Sequence, residues 1–372
     1  VNLTWEDLRK AGFEEFEEGR YDDCEKTWLS CIAQVRANDG NKILIATTRL
    51  DLAALYSVLG RYEDAEKCLL EAINIRKEQL GSENLQVAEA YLLLAKNYAH
   101  LGNLAASIEN CESALLIKEA NLGETDMEIA DILQELAIYY SASGMLEDCE
   151  PLLLRALEVR ETNGAGRSLE VANLLKGMAR NYRKLGRYSD ADGYYLRALS
   201  IKEELLGPDH EDVAESMRSL ANNYSYQGKY EEAEPLYKKS LIIYENSAEP
   251  NHPEVATNYH NLAVLYYKMG QDAEAAIHYR RSLELLSTVL GSDHPEVAST
   301  LFSMSKFYEE RGKLDKAETL SSLAISILEK ALGPDHRHVA LSLNDLVSVL
   351  EGQGRFVEAE NARLRAEQIL SA

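Results

Sequence analysis

The chain has 372 residues, 46% hydrophobic and 27% charged, with a net charge of −23 and a pI near 4.8. These proportions suit a folded globular chain, while the acidic field repels phosphate and anionic lipid and so argues against general nucleic-acid or membrane-surface binding. No apolar run approaches the roughly 20 residues that a membrane helix needs, which predicts no membrane insertion, and no signal-peptide pattern opens the chain.

Along the sequence, glycine keeps time: Gly19, Gly60, Gly102, Gly144, Gly186, Gly228, Gly270, Gly312 and Gly354, spaced by 41 once and by 42 thereafter. Amphipathic segments with three- and four-residue apolar steps flank each glycine, as in Val213, Met217, Leu220, Ala221 and Tyr224 before Gly228 and Tyr230, Ala233, Leu236, Tyr237 and Leu241 after it. The pattern predicts two antiparallel helices per unit, turning at the glycine, where a left-handed backbone is tolerated. Nine units follow, near 4–39, 40–81, 82–123, 124–165, 166–207, 208–249, 250–291, 292–333 and 334–372, forming a single array over 1–372. A single hairpin cannot bury its apolar stripe, so neighbours must stack and share a continuous core.

In the first units Cys24 takes the small slot held later by Ser107, Cys149, Ala65, Ala191, Ala233, Ala275, Ala317 and Ala359. Cys31 takes the slot of Ala72, Ala114, Ala156 and Ala198. These cysteines, with Cys68 and Cys111, read as packing residues; odd in number and without C-x-x-C, they fit a reducing, cytoplasmic compartment. A tyrosine ladder, Tyr56, Tyr98, Tyr140, Tyr182, Tyr224, Tyr266 and Tyr308, also reads as core. The linker 162–168 is glycine-rich and is expected to be the most flexible joint. Capping boxes are expected at Asp209-x-x-Asp212, Asn251-x-x-Glu254 and Asp293-x-x-Glu296. Asp272 replaces an aromatic at its turn, which predicts looser packing there, and the polar stretch Asn361–Ala366 of the last helix reads as a solvent cap.

The repeated VA…L-A…Y…G-[RK]-Y-x-x-A-E pattern and the LGPDH or LGSDHP linkers resemble tetratricopeptide repeats of the 42-residue, kinesin-light-chain-like type, over nearly the whole chain. The resemblance implies an all-α, right-handed superhelical solenoid of about nine helix-turn-helix repeats, with the first helix of each lining a concave groove. Carried over repeat by repeat, it implies inward-facing Lys176, Arg180, Arg183 and Lys184, then Arg218, Asn222 and Tyr226, then His260, Asn261, Tyr267 and Lys268, then Lys306. The N-terminal counterparts Leu50, Ala54 and Leu92 are apolar, broken by Lys96, while Glu89, Asp131 and Glu215 would dilute the positive charge.

No phosphate-binding loop, dinucleotide fingerprint, H-E-x-x-H or G-x-S-x-G occurs. His210, His252, His294 and His336 recur once per repeat, too far apart for one metal sphere, and read as linker residues near helix starts. The His336-Arg337-His338 pair lacks completing ligands. The expectation is a non-enzymatic adaptor with no metal and no cofactor, its groove holding an extended acidic peptide of a partner protein. Guanidinium groups would clamp carboxylates, asparagines the peptide backbone, and the apolar N-terminal stretch an aromatic anchor. The plainer reading of the cations is an ordinary solvated helix face. Competing functions are a self-associating scaffold and a regulatory repeat that senses a peptide; nucleic-acid readout ranks last on charge.

Overall fold

The computed structural model describes residues 3–38, 40–246 and 253–371. The described residues form eighteen helices and no strand. They fall into two compact units, the first ending at Gly186 and the second beginning at Arg187. The first unit pairs α1 (Trp5–Glu17) with α2 (Tyr21–Ala37), α3 (Lys42–Val58) with α4 (Tyr62–Leu80), α5 (Leu85–His100) with α6 (Leu104–Leu122) and α7 (Met127–Ala142) with α8 (Leu146–Thr162), and closes on α9 (Leu169–Lys184). The second opens with α10 (Tyr188–Leu206), packed on α11 (Glu211–Tyr226). It continues with α12 (Tyr230–Asn246), α13 (Pro253–Lys268), α14 (Asp272–Val289), α15 (Pro295–Glu310), α16 (Leu314–Leu332), α17 (Arg337–Gly352) and α18 (Phe356–Ser371).

The periodic glycines end the first helix of each pair with φ between 68° and 85°, a conformation that side chains with a Cβ resist. The small slots are closed as expected: Cys24, Ala65, Ser107, Cys149, Ala191, Ala233, Ala275 and Ala317 are all fully buried. All five cysteines are free and buried, and burial pushes the Cys24 and Cys111 thiols up to about 12, which makes them packing residues and poor nucleophiles.

Helix starts depart from expectation. The caps of α11, α15 and α17 are His210, His294 and His336, whose Nδ1 accepts from the backbone N–H of Asp212, Glu296 and His338 at 3.1–3.2 Å. The boxes expected at Asp209 and Asp293 do not form, because those residues stand one position too early to reach the second helical amide. The box expected at Asn251, and His252 beside it, lie outside the described residues. The histidine column continues Asn41, Asn84, Asp126 and Ser168, which cap α3, α5, α7 and α9 with side-chain oxygens.

The tyrosine ladder fastens one repeat to the next. The hydroxyls of Tyr56, Tyr98, Tyr140, Tyr182 and Tyr266 donate to Glu25, Glu66, Glu112, Glu150 and Glu234 on the preceding second helix, at 2.6–2.8 Å. Where Ala276 replaces that glutamate, Lys313 and Lys316 lie over the Tyr308 ring at 5.8 and 5.5 Å. Asparagines add a second tie: Asn97, Asn181 and Asn223 donate to the backbone oxygens of Tyr62, Leu146 and Tyr188 at 2.8–2.9 Å.

Two irregular positions also find partners. Asp272 accepts a fork of hydrogen bonds from Arg311 at 2.8–3.0 Å, which ties its turn to the next one. In the linker at 162–168, Asn163 donates to Thr125 O and Val159 O, both at 2.8 Å, and Ser168 caps α9.

Candidate functional site

The exposed faces of the first helices differ between the units. In the first unit, α3, α5 and α7 present Val58, Leu93 and Ile138, exposed by 57%, 43% and 50%. They form a patchwork of apolar side chains on a chain that is otherwise strongly acidic. Lys96 is spent nearby on Glu135 at 3.7 Å.

The cationic residues expected in this unit all lie on α9. Arg180 is exposed and stands at the rim of a small pocket; Lys184 is exposed and donates to Ser141 Oγ at 3.0 Å; Lys176 and Arg183 are half-buried. The acidic residues thought to dilute their charge are matched by a ladder of cations on the second helices. Arg76 lies 3.8 Å from Glu89, Arg160 is bonded to Asp131, and Lys202, in the second unit, lies 3.9 Å from Glu215. Lys118 pairs in the same way with Glu128. All four cations are buried. Their apolar stems pack while their charged heads meet a carboxylate or, for Arg76, also the backbone oxygen of Gln86.

In the second unit the expected residues separate into engaged and available groups. Arg218, on α11, is bound to Glu254 at 2.8 Å. Asn222 accepts from the Tyr237 hydroxyl at 2.6 Å. Tyr226, 55% exposed, stacks on Tyr188 at 5.6 Å and has the Lys268 ammonium over its ring at 5.3 Å. Asn261 is half-buried on α13.

Tyr267, Lys268 and Lys306 meet in an open cleft of about 610 Å³ between α13 and α15, lined also by Tyr230, Val264, Tyr279, Ser303, Glu310 and Arg311. Its charged lining is three cations against one carboxylate, reversed in sign from the chain as a whole. Aromatic rings form the base. Tyr267 and Tyr279 lie 5.8 and 6.0 Å from Phe307, and His260 meets Tyr279 edge-on at 5.8 Å. Burial pushes the Tyr267 hydroxyl up to about 12, helped by its hydrogen bond to Glu310. Burial lowers Lys268, and among the described residues no carboxylate is placed to offset it. It also takes the His260 imidazole down to about 4, and its Nδ1 is buried without a hydrogen-bond partner. Beyond Lys306 a second opening of about 590 Å³ reaches Asp345, where burial raises the carboxyl against the opposing pull of Lys306.

Sequence reasoning missed Arg311 and Tyr279. Arg311 was legible as a departure, since Leu59, Leu101 and Leu185 occupy its column before the turn glycine. Among the described residues no group of three or more His, Cys, Asp or Glu side chains is placed to hold a metal ion, and no helix is long and apolar enough to cross a membrane.

The family model described as tetratricopeptide repeat matches residues 7–78, 86–162, 170–246, 220–288, 254–320 and 296–372. Among solved structures, BtubC (BKLC) from P. vanneervenii is 21% identical with a TM-score of 0.53, covering 62% of this chain and 91% of its own. The apo form of RapI is 15% identical with a TM-score of 0.68, covering 99% and 98%. A Rap protein complexed with competence and sporulation factor is 16% identical with a TM-score of 0.53, covering 98% and 96%. No curated protein sequence matches the chain.

Proposed function

The chain belongs to the tetratricopeptide repeat family, and from that premise we propose that it is a non-enzymatic adaptor that holds an extended, acidic segment of a partner protein on the exposed faces of its first helices. The observation that carries this reading is the cleft of the second unit, where Lys268 and Lys306 stand over tyrosine walls, beside an Arg311 already bound to Asp272, in a chain of net charge −23. Carboxylates entering there exchange water for charge-assisted hydrogen bonds, and an aliphatic or aromatic neighbour gains contact with Val264, Tyr267 and Tyr279. Lys268 is exposed beside Lys306 on the same opening, so an incoming carboxylate can reach both ammonium groups. Arg218 has a different role, since Glu254 already occupies it. The Rap protein of this fold that is complexed with competence and sporulation factor is compatible with a ligand on such a scaffold. The side chains of this chain set the chemistry of its own ligand.

The test is fluorescence anisotropy with a labelled twelve-residue Glu/Asp-rich peptide against the wild type, Lys268→Glu/Lys306→Glu and Arg180→Glu. Binding weakened at least tenfold by the cleft variant, and weakened further as salt shortens the screening length, supports the reading. Equal affinity for wild type and both variants would sink it and shift the weight to a self-associating scaffold.

A further inference from the structure

Gly177 stands in the middle of α9, where glycine costs helix stability relative to alanine. Two ordinary reasons for such a glycine fail here. Its φ is not left-handed, and a Cβ built on it would meet nothing within 4 Å. Leu93 occupies the matching position two repeats earlier, so the column accepts a large side chain. What the missing side chain leaves is space: Gly177 lines a pocket of about 80 Å³ in the first unit, between α7 and α9 and against α8.

The walls of that pocket have a definite chemistry. Ala137, Ile138, Leu153 and Leu174 make it apolar, and Arg180, one turn beyond Gly177, is among its lining residues and exposed. Two more lining residues, Gln134 and Asn181, hold buried side-chain oxygens, Oε1 and Oδ1, with no hydrogen-bond donor. Asn181 has already spent its amide nitrogen on Leu146 O at 2.8 Å, which leaves its oxygen as an acceptor only. Buried acceptors of this kind are costly unless something supplies an N–H or O–H.

We infer that this pocket is an anchor site for a compact aliphatic side chain, valine- to leucine-sized, of an acidic peptide. The peptide's backbone N–H groups satisfy Gln134 and Asn181, and an adjoining carboxylate pairs with Arg180. The inference rests on the adaptor reading above and adds its specificity. Size favours a small anchor: an apolar cavity of roughly 150 Å³ holds benzene, and this pocket is about half as large. The aromatic anchor expected from the sequence is too big for it. Charge complementarity sets the partner, since Arg180 is accompanied on α9 by Lys176, Arg183 and Lys184.

The experiment compares four labelled twelve-residue Glu/Asp-rich peptides, identical except for a central Ala, Val, Leu or Trp, against the full chain, Gly177→Ala, Gly177→Leu and Arg180→Glu. The expected result is at least tenfold tighter binding of the Val and Leu peptides than of the Ala and Trp peptides. Gly177→Leu should reduce the Val and Leu peptides to the level of the Ala peptide or below, and Arg180→Glu should weaken all four. Gly177→Ala, which favours the helix, shows a partial loss of preference in a variant certain to fold. Absence of any preference in the wild type, with binding still lost in Arg180→Glu, overturns the anchor and leaves the adaptor standing. A crystal structure with the Leu peptide showing only ordered water in the pocket overturns the anchor too. Failure of all four peptides to bind the wild type overturns both.

Discussion

The two units share one frame and differ in what they display on it. The first shows Val58, Leu93 and Ile138, the last lining a small pocket with an arginine at its rim. The second shows an open cleft with lysines and an arginine above an aromatic base. Both rest on the same closed alanine, serine and cysteine slots and the same tyrosine-to-carboxylate ties. In a repeat array each hairpin answers mainly to its neighbours, so packing constrains one face of every first helix and leaves the other free to diverge. The difference between the units is therefore one of exposed side-chain chemistry, obtained without altering the scaffold.

The strongest way to separate the units is through their largest buried rings. Trp28 is 1% exposed, packs against Phe13 and donates to Arg9 O at 3.2 Å, and Gly12 leaves it room, since a Cβ there would lie 2.1 Å from its Nε1. Trp28→Ala is expected to cost about 3–5 kcal/mol, with hydrogen exchange accelerating in α1–α4 while α13–α17 keep their protection. Uniform acceleration along the chain would show that the units do not unfold separately.

Acid should distinguish them next. Burial holds folded His260 near 4, below an ordinary 6.5. The unfolded chain therefore takes up a proton first as pH falls below 6.5, and stability is lost from there down to about 4. The loss reaches at most about 3 kcal/mol, confined to the second unit. Denaturation midpoints at pH 7 and pH 4.5 should show a larger drop for wild type than for His260→Phe, and identical drops would place the imidazole in water.

Binding gives a third contrast. Arg218→Glu faces Glu254 and should lower stability by about 1–3 kcal/mol, yet change peptide affinity less than Lys268→Glu, which alters the cleft and leaves thermal stability nearly intact. The reverse ranking would move the binding face towards α11. The finest comparison is between Tyr98→Phe and Tyr266→Phe. Each removes one hydroxyl-to-carboxylate tie in a different unit, and each should cost about 1 kcal/mol in urea denaturation. A marked inequality would show that the ties are not equivalent.

Much of the frame was legible in one sequence, because period, glycine turns and small slots are local consequences of helix geometry repeated nine times. The caps were misread by one residue. The column Asn41, Asn84, Asp126 and Ser168 leads directly to His210, but the acid-rich linker drew attention to Asp209. The tyrosines were recognised as core while their hydroxyl partners were not, since Glu66 and Glu234 precede their tyrosines by 32 residues and meet them only when repeats stack. Of the candidate site, Lys268, Lys306 and Tyr267 were named from the repeat register. Arg311 and Gly177 were visible only as departures from their columns.

By itself the sequence determined that this is an all-helical array of hairpins with an acidic surface, and which helix of each hairpin varies. Periodicity and side-chain volume suffice for that, since each repeat buries the same stripe in the same way. Tertiary structure alone decided which charges are spent and which remain. Arg218 and Lys202 are drawn to carboxylates on neighbouring helices, whereas Lys268 sits over a tyrosine and, among the described residues, has no carboxylate placed to hold it. Pairing depends on distances between helices that no column of letters records, and an ion's availability is set by its nearest opposite charge.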